Sequence, residues 1–171
     1  IDELSDFSNL VSSERVEHII SKINYYGYSG DRVKGLVFCS SKQEAKVLSE
    51  EFNARGYNTT SLTGEDSQER RELEIAKLVA NDGDMLDYIF TVDIFNEGVD
   101  IPEVNQVIML RPTQSSIIFI QQLGRGLRKS DDKEFVVIID FIANYKNNFL
   151  IPVALSGDNS YDKDTVRKFL S

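Results

Sequence analysis

The chain has 171 residues, 41% of them hydrophobic and 27% charged, and 28 acidic residues against 19 lysines and arginines leave a net charge of −9. That length suits one domain with a substantial core, and the acidic balance excludes nucleic-acid binding by bulk electrostatics, though not a local site built from backbone amides, hydroxyls and a few arginines. The single cysteine, Cys39, excludes an intrachain disulfide and fits a reducing compartment; with one histidine, His18, it is too little for a zinc site of the usual kind.

No apolar run approaches the ~20 residues a membrane helix needs. The N-terminus, IDELSDFSNL, is acidic and lacks the basic and apolar regions of a signal peptide. These features predict a cytoplasmic protein with no membrane partner. The absence of an initiator methionine suggests a piece of a longer chain.

Residues 13–26 carry Val16, Ile19, Ile20 and Ile23 at helical spacing, with Ser12 or Ser13 as N-cap. After the break Gly27-Tyr-Ser-Gly30-Asp, the run Gly35 to Cys39 is short, apolar and β-prone, as a strand buried on both faces should be. A helix from about Lys42 to Arg55 follows, turning Ala45, Leu48 and Phe52 inward and ending at Gly56. Asn58 to Leu62 reads as a second strand. The segment Ser67 to Val79 reads as a helix with Ser67 as N-cap and Leu73, Ile75, Leu78 and Val79 on its apolar side. Leu86 to Val92 is a third strand, Asp93 to Val104 a loop, and Asn105 to Leu110 a fourth strand. Ser115 or Ser116 caps the next helix, and Phe135 to Asp140 is the fifth strand. Beyond Ile142 the pattern weakens into an irregular extension with one short terminal helix.

Five short apolar strands alternating with helices predict an α/β fold, a parallel β-sheet flanked by helices on both faces. Ligands of such sheets sit beyond the carboxyl ends of the strands. The polar clusters fall there: Ser40-Ser41, Thr63-Gly64-Glu65, Asp93 to Asp100, and Arg111 to Gln114. Phe38, Phe90, Phe119 and Phe135 belong to the core, with Phe95 the least clearly placed because it sits in the loop after the third strand.

The stretch IFIQQLGRGLRKS, Ile118 to Ser130, ends an amphipathic run with Arg125 and Arg128 three residues apart. On a helical turn that spacing puts both guanidinium groups on one face. Arginine keeps its charge and pairs with phosphate or carboxylate through two hydrogen bonds, so beside Gly124 and Gly126 the pair suits a polyanion. The plainer alternative is a basic helix end that complements the helix dipole.

In order along the chain, these pieces resemble the second RecA-like domain of a superfamily two helicase or translocase, over about Gly35 to Ile142. VFCSS resembles motif IV, and LTGEDSQERR resembles the stretch with Gly followed by Gln-x-x-Arg. TVDIFNEGVDIPEV resembles motif V, and Gln121, Gly124, Arg125 and Arg128 match the motif VI pattern Gln-x-x-Gly-Arg-x-x-Arg. The flavour is that of the DEAD/DEAH-like helicase subunits of type III restriction enzymes, since motif VI begins Gln-Gln without the His-Arg of RNA-specific DEAD-box proteins. The domain this implies spans residues 1–142, with its motifs within 35–130, and residues 143–171 form an extension or the start of a following region.

The resemblance implies an ATP site shared with a first RecA-like domain that carries the phosphate-binding loop and the acidic magnesium box. This sequence contains neither Gly-x-x-x-x-Gly-Lys-Ser/Thr nor Asp-Glu-x-His or Asp-Glu-x-Asp. Alone it is therefore expected not to hydrolyse ATP; Mg2+ and most of the nucleotide would be held by the other domain. By resemblance, Arg125 and Arg128 are arginine fingers, Arg128 the one at the γ-phosphate, and Gln121 orients the network across the cleft. Gly98, Asp100 and Gly124 approach the nucleotide, with Asp100 accepting from a ribose hydroxyl. Glu97 either couples the two sites or is a solvated loop carboxylate.

Nucleic-acid contacts are expected from Ser40, Ser41, Thr63, Gly64 and Thr91, supported by Gln68 and Arg71. Hydroxyls, amides and helix N-termini hold phosphate without reading bases. Ser40 and Ser41 also suit simple helix capping, and Arg71 suits a surface pair such as Glu74. The function implied is the second motor domain of an ATP-dependent helicase or translocase, with DNA the partner by family flavour and RNA left open. The alternative is a non-catalytic nucleic-acid or protein binding module that keeps the helicase fold.

Overall fold

The structure is a computed structural model whose described residues are 12–92, 94, 101–111, 117–121 and 134–141, with the backbone of 151–156. Elements run in the order α1 (Ser13–Tyr26), β1 (Gly35–Phe38), α2 (Lys42–Ala54), β2 (Thr59–Leu62), α3 (Gln68–Val79), β3 (Tyr88–Thr91), β4 (Gln106–Met109), β5 (Phe135–Asp140) and β6 (Ile151–Ser156). They build one six-stranded sheet in the order β2-β3-β1-β4-β5-β6. The first five strands pair parallel, as expected, and β6 pairs antiparallel with β5. The stretch read as irregular after Ile142 thus contains an edge strand. Pro152 hides it from a pattern search, yet proline is tolerated on a sheet edge, where its missing N–H is not needed.

Strand β1 lies centrally and all four of its residues are buried. Alternation along the strands divides the core into two layers. On one face Val37, Tyr88, Phe90, Ile108, Val137 and Ile139 meet α1 through Val16, Ile19 and Ile23, and α2 through Ala45, Leu48 and Phe52. On the other, Leu36, Phe38, Leu62, Ile89, Val107 and Ile138 meet Leu78 of α3, with Ile101, Val104 and Phe119. Leu73, expected on the apolar side of α3, is instead 56% exposed. It lies two residues before Ile75, about 200° round the helix, so the stripe that buries Leu78 and packs the half-buried Ile75 and Val79 beside it must turn Leu73 outward.

Ser12 caps α1, its hydroxyl accepting from Arg15 N at 3.3 Å, and Ser67 caps α3, accepting from Arg70 N at 3.2 Å. Gly56, with φ of 93°, supplies the left-handed residue that ends α2.

Gly35 is required for a different reason. It lies in register between Tyr88 on β3 and Gln106 on β4. Its missing side chain lets the Tyr88 ring cross β1, so that the Tyr88 hydroxyl donates to Gln106 Oε1. Gln106 Nε2 in turn donates to Gly27 O at 2.9 Å and Ile23 O at 3.3 Å, closing the end of α1. A methyl group at Gly35 would overlap Cδ1 and Cε1 of Tyr88.

The amino edge of the sheet is closed by cations that serve structure. Arg32 donates through Nε to Ala80 O at 2.9 Å and through its terminal nitrogens to Leu86 O at 2.9 Å and Leu78 O at 2.6 Å. Lys34 Nζ donates to Val79 O at 3.0 Å and Asn81 Oδ1 at 2.9 Å. Together they neutralise the carbonyl end of α3. Burial lowers the Arg32 pKa, and Asp87 offsets part of that shift.

Candidate nucleic-acid interface

The parallel register lines up Leu62, Thr91, Phe38, Met109 and Asp140 in one row across the sheet. The residues that leave this row form the carboxyl edge, so Ser40, Ser41, Thr63, Gly64 and Arg111 emerge on the same edge, with the end of β3 between those of β2 and β1. Lys42, at the start of α2, is ion-paired with Glu65 in the loop after β2, which links these two loops although β3 lies between their strands.

Ser41 is the N-cap of α2, its extended backbone letting Oγ accept from Glu44 N at 3.1 Å. Ser40 is engaged differently. Its backbone N donates to Glu44 Oε2 at 2.6 Å, and its hydroxyl donates to the same oxygen. The other Glu44 oxygen accepts from Arg15 NH1 at 2.9 Å, and Glu44 is only 1% exposed. Both donors expected to face a phosphate from Ser40 therefore face an internal carboxylate. The Ser41-x-x-Glu44 spacing of a capping box signals that Glu44 folds back over the start of α2, where it takes the N–H of Ser40, one residue before the cap. The contact with Arg15, 29 residues away, has none.

The loop after β2 is a closed turn. Thr63 N donates to Asp66 Oδ2 at 2.7 Å, Asp66 N donates to Thr63 O at 3.1 Å, and Arg70 is ion-paired with Asp66. Gly64 is exposed and a side chain there would meet nothing within 4 Å. Gln68 is bonded to Glu72 at 2.9 Å on the outside of α3. Arg71 does not pair with Glu74, which instead lies 3.7 Å from Lys77. It reaches back over the loop, NH2 donating to Gly64 O at 3.0 Å, while its Nε is buried without a partner.

Thr91 ends β3, fully buried, and its hydroxyl is likewise unpartnered. Among the described residues, these are the two buried side-chain polar atoms that lack a partner, and both lie at the carboxyl edge. Arg111, absent from the expected contacts, leaves β4 exposed, with NH1 3.4 Å from Ser40 O. An exposed arginine directly after an apolar strand was the readable sign of it.

Residues 117–121 are helical. Phe119 is buried with its ring 5.9 Å from that of Phe38, the last residue of β1, which docks this turn at the carboxyl edge. Gln121, the last described residue of this stretch, is exposed. Glu97, Gly98, Asp100, Gly124, Arg125 and Arg128 lie outside the described residues, as does Phe95. Among the described residues no group of three or more His, Cys, Asp or Glu side chains could hold a metal ion, and no helix is long and apolar enough to cross a membrane. Cys39 is buried at the same edge; desolvation, with Glu44 adding to it, pushes its thiol pKa well up, so it is a poor nucleophile. Burial raises the Tyr88 hydroxyl in the same way.

A central parallel sheet with helices on both faces and its polar loops collected at the carboxyl edge defines a RecA-like α/β domain. The chain belongs to the family described as helicase conserved C-terminal domain, which matches residues 14–130. It is 30% identical over 141 residues to IRC3 of Saccharomyces cerevisiae, a match covering 82% of this chain and 20% of that protein. It is 29% identical over 114 residues to the type I restriction enzyme EcoKI endonuclease subunit of Escherichia coli, covering 61% of this chain and 10% of that one. The fold matches the C-terminal domain of the DEAD-box protein Dbp5, with TM-score 0.57 and 21% identity over 80% of this chain and 74% of that one. It also matches a DEAD box protein from Methanococcus jannaschii, with TM-score 0.51 and 24% identity over 64% and 29%. The domain is thus a helicase conserved C-terminal domain with a RecA-like α/β fold, and it belongs to an enzyme family. The chain spans a fifth or less of the length of these two curated relatives.

Proposed function

We propose that this domain is the second motor domain of an ATP-dependent helicase or translocase that grips the backbone of a nucleic-acid strand, DNA in the first instance, along its carboxyl edge. The observation that carries this reading is the pair of orphaned polar atoms, Arg71 Nε and Thr91 Oγ1. A buried donor without a partner costs about 1–3 kcal/mol, and such groups mark places that a ligand or partner completes. Both belong to the residues expected at the strand, beside Ser41, Thr63, Gly64 and Gln68. None of these groups reads bases, which suits a motor that steps along any sequence.

In this reading Arg125 and Arg128 reach the phosphates of an ATP whose Mg2+ is held by a first RecA-like domain, and Gln121 orients the network between them. Gly98, Asp100 and Gly124 approach the nucleotide, and Glu97 couples it to the strand. A chain without the phosphate-binding loop and acidic box is inactive alone, and its setting is cytoplasmic. Similarity to the EcoKI restriction enzyme subunit supports DNA, and similarity to proteins named as ATP-dependent RNA helicases supports RNA as the alternative strand.

The strand surface is tested by Arg71→Ala in the full-length protein, read by anisotropy of labelled single-stranded oligonucleotides. Affinity should fall uniformly across unrelated sequences, and the slope of log K against log salt should flatten by about 0.7, one phosphate contact fewer. Unchanged affinity and slope would remove Arg71 from the interface.

A further inference from the structure

The loop after β1 holds an anion of its own. Glu44, in the first turn of α2, is nearly inaccessible to solvent and takes both donors of Ser40 as well as one nitrogen of Arg15. Carboxylate and phosphate oxygens are interchangeable acceptors for such donors, and each is favoured at a helix N-terminus. The neighbouring cation Arg111 touches the carbonyl of the same Ser40, so the loop lies in the midst of the carboxyl-edge cluster.

We infer that Glu44 is a built-in stand-in for a strand phosphate: it occupies the donors of Ser40 and so keeps this loop from gripping the nucleic acid through them. The inference rests on the proposed reading of the carboxyl edge as the strand surface. Glu44 is a positioning residue, because it never touches the strand. Its effect is to weaken the grip of one domain on its track, which a motor that must release the strand at every step requires.

The experiment uses the full-length protein without nucleotide and fluorescein-labelled oligothymidylate, with oligouridylate as the RNA probe. Glu44→Met fills the same space and takes both acceptor oxygens away from Ser40, and Glu44→Leu serves if the first variant is poorly folded. Each variant is first matched to wild type by its melting curve. Either should bind roughly three- to tenfold more tightly than wild type, the worth of one added hydrogen bond. Adding Ser40→Ala should remove part of that gain. Loss of one negative charge tightens binding whether or not Ser40 takes part, so it is the reversal by Ser40→Ala that ties the gain to the Ser40 donors; a gain that Ser40→Ala leaves untouched overturns the inference. Equal or weaker binding by both folded variants, beside normal wild-type binding, overturns the inference and leaves the strand surface standing. Failure of the wild type to bind either probe overturns both.

Discussion

Arg128→Ala in the full-length protein should lower strand-stimulated ATP turnover by about a thousandfold or more, while affinity for the strand without nucleotide stays at the wild-type level. Phosphoryl transfer needs positive charge where negative charge develops and little else from the protein, so the loss falls on turnover. Arg128→Lys keeps the charge and loses the planar two-pronged geometry, and should recover only part of the rate. Arg125→Ala should also lose turnover, though less if Arg128 is the group at the γ-phosphate. Steady-state hydrolysis with and without single-stranded DNA reads all three. Normal turnover in Arg128→Ala would withdraw the role given to it.

Gly35→Ala should destabilise the domain by about 3 kcal/mol, through overpacking of a close-packed core and loss of a buried hydrogen bond. The new methyl displaces the Tyr88 ring, and the hydroxyl then no longer reaches Gln106. Gln106 also closes α1 through Ile23 and Gly27, so the disturbance spreads to the helix that covers this face. For a domain of this size the melting temperature should drop by roughly 6–12 °C. Tyr88→Val is costly by itself, yet it removes the ring that the methyl strikes. The two substitutions together should cost clearly less than the sum of the singles. Additive losses would show that Gly35 acts without Tyr88.

The sheet was legible because β1, β3, β4 and β5 are short, largely apolar runs bounded by turn signals, which suit strands covered on both faces. Val16, Ile19 and Ile23 likewise announced which side of α1 packs. The carboxyl-edge loops could be located for the same reason, since locating strand ends locates the loops. What escaped was whatever depends on a distant partner. Ser40 reads as a free hydroxyl until Glu44 and Arg15 are seen around it. Arg71 reads as half of a surface pair until it is found reaching Gly64. Strand β6 escaped because IPVALS lacks alternation and contains proline; only the edge of β5 makes it a strand. Leu73 was a misjudgement of period, and the geometry of the turn alone could have corrected it.

The measurement that bears most directly on the central claim is ATP hydrolysis by the wild-type full-length protein, with and without a single strand, in DNA and RNA forms. A motor domain of the kind described predicts turnover that rises when strand is added, more with DNA than with RNA. Strand binding without any ATP turnover would contradict it, and would make this helicase fold a binding module.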